Sequence, residues 1–173
     1  MAKKNTIHFI ITGGTIDSYY EGTKDTAVPN EKSIIPRFVN SLKLYNNTEF
    51  TEICMKDSRE IVKKDLKNIL KVVETSPYKN IIITHGTYTM PDTGRFLEAN
   101  LKRKDQVIII TGSMIPLAGF SPSDGPFCIG YAIAKTQDSE PGIHICMNGK
   151  VFTPKEVMKV NKEGRFASIF GEK

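Results

Sequence analysis

Four short segments rich in Gly, Thr and Ser carry the residues of this chain that could do chemistry. They are TGGTID at 12–17, KDS at 56–58, HGTYT at 85–89 and GSM at 112–114. Small residues let backbone N–H groups and hydroxyls approach a ligand, and a Thr hydroxyl becomes a nucleophile when a neighbouring group accepts its proton. One Gly-Gly or Gly-Thr pair after a strand is common turn chemistry. The occurrence of four such segments therefore indicates a site.

Other kinds of site are not supported by the sequence. Neither GxGxxG nor GxxxxGK[ST] occurs, so a dinucleotide fingerprint and a P-loop are both unsupported. The three histidines, His8, His85 and His144, have no ligand spacing and lie beside apolar runs. We therefore predict no metal site and no organic cofactor.

Five short apolar runs must position these segments, and they alternate with stretches of helical spacing. The runs are 7–12, 51–55, 80–84, 107–111 and 142–147. Such alternation is typical of an α/β fold with a mainly parallel sheet, and the runs at 81–83 and 107–110 are apolar on both faces, as central strands covered on two sides must be. In such a sheet the ligand lies beyond the carboxyl ends of the strands. The four segments follow four of these strands directly.

Helical periodicity is clearest where Leu66, Ile69, Leu70 and Val73 recur at i, i+3, i+4 and i+7. Ser33 is predicted to cap a helix that carries Ile34, Ile35, Phe38, Val39 and Leu42. Two further helices are predicted to open at Pro91 and Pro126.

Length and composition limit the remaining possibilities. The 173 residues predict one domain over residues 1–173, and 24 Lys and Arg against 19 Asp and Glu give a net charge of +5. Because the lysine runs are interrupted by acidic or apolar residues, a solvated surface is favoured and no nucleic-acid binding is predicted. The three cysteines lack a CxxC spacing, and there is neither a secretory h-region nor an 18-residue apolar stretch. We expect a cytoplasmic protein without membrane attachment.

The motifs TGGTID at 12–17, THGTYTM at 84–90, SDGPF at 123–127 and KEVMKVN at 155–161 resemble the bacterial-type L-asparaginase/glutaminase family. The resemblance runs in order over nearly the whole chain. It implies a three-layer α/β/α fold like the N-terminal domain of L-asparaginase, and we expect the family's smaller C-terminal domain to be absent. Very short asparaginases of about this length are more similar still.

The resemblance implies roles for particular residues. Thr15 corresponds to the family's first nucleophilic threonine, Thr87 to the second, Lys159 to the lysine paired with the second, and Ser58 to a ligand of the substrate carboxylate. A tyrosine on a mobile loop assists the first threonine in the two-domain relatives, and Tyr20 is our choice over Tyr19. The segment from Glu21 to Pro29 reads as a polar loop that could form a lid, although an exposed loop without a catalytic part is an alternative. The candidate catalytic residues are Thr15, Tyr20, Thr87 and Lys159, and the candidate substrate-binding residues are Gly14, Asp57, Ser58, Arg59, Gly86 and Tyr88.

Two departures from the family pattern affect substrate binding. Where the family has HGTDTM, this chain has HGTYTM, so Tyr88 replaces the aspartate that binds the substrate's α-amino group. A phenol, with a pKa of about 10, supplies no negative charge at neutral pH. Arg59 stands where the family usually has Gln or Ser. Asp57 or Asp17 could compensate for the missing charge.

Three hypotheses follow. The first is an amidohydrolase that converts L-asparagine to L-aspartate and ammonia through a threonine acyl-enzyme, as a homodimer or homotetramer whose sites are completed by an adjacent subunit. The second is a weak or inactive amino-acid-binding module with the asparaginase fold. The third is an amidase subunit of a larger amidotransferase, which would normally bring additional domains.

Overall fold

A central sheet of six strands organises the molecule, whose computed structural model describes residues 5–171. The strands are β1 (Thr6–Gly13), β2 (Ser18–Glu21), β3 (Thr26–Pro29), β4 (Asn47–Lys56), β5 (Asn80–Thr84), β6 (Val107–Thr111), β7 (Gly142–Met147), β8 (Lys150–Phe152), β9 (Val157–Val160) and β10 (Arg165–Ser168). The order in the central sheet is β4-β1-β5-β6-β7-β8. The first five of these strands are parallel and β8 is antiparallel to β7. The mainly parallel sheet predicted from the sequence is confirmed.

Both faces of the sheet are buried, which makes the fold three-layered. The helices are α1 (Ile35–Ser41), α2 (Lys63–Thr75), α3 (Met90–Asn100) and α4 (Gly125–Asp138). In β5, Ile81 and Ile83 pack into one core with residues of α2 and α3. Ile82 points the other way, into a core with residues of α1 and α4. Because side chains alternate along a strand, an uninterrupted apolar run supplies both cores at once.

The helices begin close to the residues that the sequence indicated. In α2, Ile69 and Val73 are fully buried, as the periodicity predicted. In α3 and α4 a proline lies in the first turn, where no backbone N–H is required. Ser33 lies one residue before the cap position of α1, but its Oγ still accepts a hydrogen bond from Ile35 N at 3.1 Å.

The segment after Thr15 is where the structure departs most from the expected organisation. It is a β-hairpin of β2 and β3, not the polar loop expected over residues 21–29. A second hairpin, β9 and β10, lies near the end of the described residues and carries Lys159 in register with Phe166. These strands are only four residues long, so their hydrophobic alternation is too short to be recognised in the sequence.

Cys128 and Cys146 are buried and Cys54 is half-buried, and all three are free thiols. Within residues 5–171, none of the helices combines the length and the apolar character that a membrane span requires.

Candidate active site

The ends of β1 and β5 approach each other so closely that only glycine fits. Gly14 has φ +80°, and a Cβ placed on it would lie 2.3 Å from Gly86 N. A Cβ on Gly86 would in turn lie 2.7 Å from Ser58 Cβ. Gly14 N also donates to Lys56 O at 2.8 Å. The structure thus brings three of the predicted segments together at one edge of the sheet.

Thr15 begins a short 3-10 turn directly after this contact. It is half-buried, whereas Asp17 at the end of the turn is fully buried. Asp17 Oδ1 accepts hydrogen bonds from Asn30 Nδ2 at 3.1 Å and from Ile34 N at 2.9 Å. Asp17 therefore ties the turn to the segment before α1 through Oδ1, while its Oδ2 is buried without a hydrogen-bond partner.

Thr87 and Lys159 form a direct pair. Lys159 Nζ lies 2.7 Å from Thr87 Oγ1, although the two residues are 72 positions apart. Thr87 is buried and Lys159 is half-buried. Burial of the ammonium lowers the pKa of Lys159, and the nearby Arg59 lowers it further, while Asp57 acts in the opposite direction. A lysine with a lowered pKa can exist as the neutral amine and accept the threonine proton.

Tyr88 places its ring against two cations. Lys159 Nζ lies 4.0 Å from the ring centroid, and the guanidinium carbon of Arg59 lies 4.7 Å from it. Cation–π contacts of this kind contribute on the order of 0.5–2 kcal/mol each. Tyr88 is 51% exposed, so its ring forms part of the surface of the site.

Asp57, one of the two residues that we considered for a compensating charge, is engaged by Arg59. Its Oδ1 accepts from Arg59 N and Nε, both at 2.9 Å, and its Oδ2 accepts from Arg59 Nη2 at 2.9 Å. The side-chain hydrogen bonds from Arg59 hold the pKa of Asp57 below its usual value, and Lys159 contributes in the same direction. The carboxylate is therefore ionised, but both of its oxygens already have donors.

Ser58 is buried beside Gly86 and is fixed by Thr89. Thr89 Oγ1 donates to Ser58 O at 2.7 Å, and Thr89 N approaches Ser58 Oγ at 3.4 Å. We did not identify Thr89 as a functional residue from the sequence. Its position four residues after His85, in a segment rich in threonine, was the available signal.

His85 lies buried beneath the loop that carries Gly86 and Thr87, and it does not line the surface of the site. It is fully buried, with Nδ1 2.8 Å from Gly86 O and Nε2 2.9 Å from Thr93 Oγ1. Burial lowers its pKa to about 4, so the ring is neutral at physiological pH. His85 thereby fixes the loop that carries Gly86 and Thr87.

Tyr20 lies on β2 and shares a cleft of about 370 Å³ with Thr15. The other walls of this cleft are mostly apolar, and they include Ile115 and Phe120. Tyr20 is 52% exposed, and its hydroxyl donates to the Asp25 carboxylate. Tyr19 points its hydroxyl to Glu21 instead, at 3.1 Å. Of the two tyrosines, Tyr20 is the one that lines the cleft beside Thr15.

Asp124 fixes the backbone at Met114 and Ile115, two residues that line this cleft. Its carboxylate accepts hydrogen bonds from Met114 N at 2.8 Å and from Ile115 N at 2.9 Å. Asp124 belongs to the SDGPF motif, but nothing in the sequence indicated a role for it. Its partners are backbone groups ten and nine residues away, which a sequence motif does not reveal.

No candidate metal centre is found within the described part of the chain. Residues 5–171 contain no group of three or more His, Cys, Asp or Glu side chains arranged to hold a metal ion.

Thr15 and Thr87 lie at the ends of adjacent strands of a mainly parallel α/β sheet. A comparison with known families identifies the class of protein that has this arrangement. The family described as Asparaginase, N-terminal, matches residues 6–169. The chain belongs to this family.

Curated relatives are similar at moderate identity. The glutaminase-asparaginase of Acinetobacter glutaminasificans is 29% identical over 171 residues, which cover 90% of this chain and 50% of the relative. L-asparaginase 2 of Escherichia coli is 28% identical over 167 residues, covering 90% of this chain and 46% of the relative. The chain thus spans about half the length of the curated relatives it matches.

Solved structures show the same fold. The thermostable L-asparaginase from Thermococcus kodakarensis superposes with a TM-score of 0.81 at 26% identity, covering 95% of this chain and 51% of that one. The probable cytoplasmic L-asparaginase from Campylobacter jejuni gives a TM-score of 0.79 at 22% identity, with 95% and 53% coverage. These likenesses confirm the expected asparaginase-type N-terminal fold.

Proposed function

We propose that this protein is an amidohydrolase that hydrolyses L-asparagine to L-aspartate and ammonia through a threonine acyl-enzyme. The observation that carries the proposal is the 2.7 Å contact between Lys159 Nζ and Thr87 Oγ1 at the carboxyl edge of the sheet. A lysine with a lowered pKa beside a buried hydroxyl can accept the proton of that hydroxyl. The relatives are named glutaminase-asparaginase and L-asparaginase, and these names support an amino-acid side-chain amide as the substrate.

The first chemical step is attack by Thr15. Its oxygen forms a bond to the carbonyl carbon of the side-chain amide, and collapse of the tetrahedral intermediate breaks the carbon–nitrogen bond. The threonine proton is transferred to the departing nitrogen, which leaves as ammonia. Water then attacks the ester, releases L-aspartate and returns a proton to the Thr15 oxygen. The net reaction consumes one water for each amide.

Lys159 and Thr87 are assigned the proton transfers of these steps. In its neutral form Lys159 accepts the proton of Thr87, and Thr87 can then accept one from the reacting hydroxyl or from water. Because Gly14 and Gly86 let the β1 and β5 ends approach, Thr15 and Thr87 are held on neighbouring strand ends. Tyr20, on the wall of the cleft beside Thr15, is assigned the assisting role once substrate fills the cleft.

Substrate binding is assigned to the residues around this pair. Ser58 lies against Gly86 and is oriented by Thr89, which suits it to bind the substrate carboxylate. Gly14 and Gly86 permit the close approach of backbone to substrate. Asp57, Arg59 and Tyr88 form the adjoining corner. No metal and no organic cofactor takes part in this proposal.

A second candidate function is that of an amino-acid-binding module with little or no turnover. One observation favours it: the Tyr20 hydroxyl is engaged by Asp25 instead of Thr15. A module of this kind would bind L-asparagine without releasing ammonia.

Two assays on the same preparation distinguish these functions. Ammonia release is measured with L-asparagine and L-glutamine, and binding of both is measured by isothermal calorimetry. Catalytic release of ammonia from L-asparagine supports the proposal. Heat of binding without ammonia supports the binding module and contradicts the proposal.

We propose that the protein is a homodimer or a homotetramer with a two-fold contact, in which a neighbouring subunit covers the open side of the site. We also propose a cytoplasmic location, in agreement with the three free thiols.

A further inference from the structure

We infer that Arg95 of α3 is a positioning residue that holds Lys159 against Thr87, because it fixes the backbone of the segment that leads to Lys159 (residues 153–158). This role rests on the proposed function, in which Lys159 and Thr87 transfer the protons. Both members of the pair are held by the same turn of α3. The turn supplies three consecutive residues, Thr93, Gly94 and Arg95.

Thr93 holds the loop that carries Thr87. Its Oγ1 lies 2.9 Å from His85 Nε2, and His85 Nδ1 lies 2.8 Å from Gly86 O. Because a carbonyl oxygen can only accept, Nδ1 carries the ring proton and Thr93 donates to Nε2. The residue before Thr87 is therefore fixed to α3 through a buried histidine ring.

Gly94 and Arg95 hold the segment that leads to Lys159. Arg95 Nη1 donates to Pro154 O at 3.0 Å. A Cβ on Gly94 would lie 3.0 Å from Pro154 Cβ and 3.1 Å from its Cγ, so the proline ring packs directly on the helix backbone. Glycine inside a helix is unfavourable relative to alanine, and this close contact is what it permits here.

The guanidinium of Arg95 is itself oriented within α3. Its Nη2 donates to Asp92 Oδ1 at 2.8 Å, and the planar fork then directs Nη1 toward Pro154 O. An ion pair of Lys155 with Glu98, at 3.4 Å, joins the same two elements. The Lys155 side chain is 74% exposed, and ion pairs exposed to this degree contribute little. The positioning is therefore assigned to Arg95 and not to Lys155.

The position of Pro154 is transmitted to Lys159 along β9. Val157 is buried in the core that also contains Leu97 of α3. Alternate residues of a strand point to the same side, so Lys159 follows Val157 on the inner side and reaches Thr87 at 2.7 Å. A shift of Pro154 away from α3 would therefore lengthen the contact between Lys159 and Thr87 and admit water around the amine.

The test is Arg95→Met, which keeps the apolar part of the side chain and removes the donors. We expect kcat for L-asparagine to fall by about tenfold or more, because a small displacement of a catalytic group is costly, and KM to change little. The charged groups that face Lys159 are Arg59 and Asp57, and both remain in the variant. With more water around its amine, Lys159 should hold its proton more strongly, so the midpoint of the pH profile of kcat should move to higher pH.

Two variants serve as matched controls. Arg103 likewise joins a backbone carbonyl, that of Ser76, to a nearby aspartate, Asp105, but it does so at the amino end of the sheet. Arg103→Met should leave both kcat and the midpoint unchanged. Lys155→Met removes a positive charge from the segment itself and should also leave both unchanged, which separates loss of charge from loss of the Pro154 contact. A midpoint that moves equally in Arg95→Met and in either control would overturn the inference.

A measurement that needs no turnover completes the test. Nuclear magnetic resonance of 13C-labelled lysine side chains follows the titration of the Lys159 amine, whose signal is assigned by its loss in Lys159→Met. The midpoint of this titration should be higher in Arg95→Met than in the wild type. An unchanged titration, even with a lower kcat, shows a merely structural role for Arg95 and overturns the inference while leaving the amidohydrolase proposal intact. No ammonia from the wild type overturns the proposed function, and the titration still decides whether Arg95 holds Lys159 in place.

Discussion

At the scale of single residues, the chemistry depends on the contact between Lys159 and Thr87. Lys159 loses hydration at a half-buried position and faces Arg59, and both effects lower its pKa. Its Nζ also lies 4.0 Å from the centroid of the Tyr88 ring. One side chain thus combines an altered proton affinity with a defined position.

Lys159→Met should abolish most of the turnover and leave the fold intact. The methionine retains the apolar part of the side chain but cannot exchange a proton with Thr87, so kcat should fall on the order of 10²- to 10⁴-fold. The melting temperature should change little, because removal of a partly desolvated charge offsets the lost hydrogen bond. Ammonia release and thermal unfolding provide the two measurements. Lys155→Met, at an exposed lysine on the same segment, is the matched control and should leave kcat unchanged. Equal activity of the two variants would place Lys159 outside the mechanism.

The pH dependence of kcat follows from the lowered pKa of Lys159. The neutral amine is the proton acceptor, so kcat should rise with pH as Lys159 loses its proton, with a midpoint below the ordinary lysine value of about 10.4. Arg59→Gln removes a nearby positive charge and frees Asp57, and both changes favour the ammonium. The midpoint should therefore move to higher pH in this variant. Arg37→Gln, at an exposed position on α1, removes the same charge from the chain and should not move it. A profile that Arg59→Gln leaves in place would exclude Lys159 as the titrating group.

At the scale of elements, the strand ends hold the reacting groups together. Thr12 Oγ1 donates to Thr84 O at 2.9 Å and Thr111 Oγ1 donates to Cys146 O at 2.9 Å, so threonine hydroxyls link adjacent strands just before the loops of the site. The close contact of Gly14 with Gly86 lies immediately beyond them. The loops are therefore positioned by hydrogen bonds between adjacent strands.

Gly14→Ala should damage both stability and activity, whereas Gly164→Ala should damage neither strongly. Gly164 has left-handed α backbone angles, φ +60° and ψ +29°, where alanine costs on the order of 1–2 kcal/mol. Gly14, with φ +80° and ψ −179°, lies in a region that essentially only glycine adopts, so alanine is strained there by at least as much. At Gly14 the new methyl group would also overlap Gly86 N at 2.3 Å, whereas nothing lies within 4 Å at Gly164. We expect Gly14→Ala to lose a further 1–3 kcal/mol or so of unfolding free energy and most of its turnover. Urea unfolding and ammonia release measure these effects. Equal losses in the two variants would show that the contact between Gly14 and Gly86 carries no function.

The sequence predicted the parallel strands well because each apolar run, such as 81–83, must be covered on both sides. It also placed Thr15 and Thr87 at strand ends, where parallel topology brings them to one edge. The hairpin of β2 and β3 was missed, because Tyr19 and Tyr20 lie among polar residues with no apolar alternation. The pairing of Asp57 with Arg59 was also missed, since residues two positions apart reveal nothing about side-chain direction. Such contacts depend on the local turn and cannot be inferred from residue type.

At the scale of the whole molecule, the open side of the site is lined by exposed apolar groups. Tyr20 is 52% exposed, Phe120 37% and Ile115 36%, and all three line the cleft that contains Thr15. Their rings and side chains are available to a neighbouring subunit. A two-fold contact is the commonest way for identical chains to cover such a surface.

We expect the protein in solution to be a dimer or a tetramer built from dimers. Light scattering coupled to size exclusion should give a mass of two or four times the 19.3 kDa of the chain. Phe120→Lys should weaken the assembly and lower kcat together, because the charge would be buried against the neighbouring subunit. Phe127→Lys, at an exposed phenylalanine on α4, is the matched control. A fully active species of 19.3 kDa would contradict the proposal and place the complete site within one chain.

The most direct test of the central claim is the rate of ammonia release from L-asparagine by the wild-type protein and by Thr15→Ala. The wild type should turn over, and loss of the attacking oxygen should reduce kcat by roughly 10⁴-fold or more, the scale seen when the nucleophile of an acyl transfer is removed. Circular dichroism should show the same fold in both, since Thr15 is half-buried and its change to alanine leaves no large cavity. Comparable rates in the two proteins, or no ammonia from the wild type, would contradict the threonine acyl-enzyme proposed for this chain.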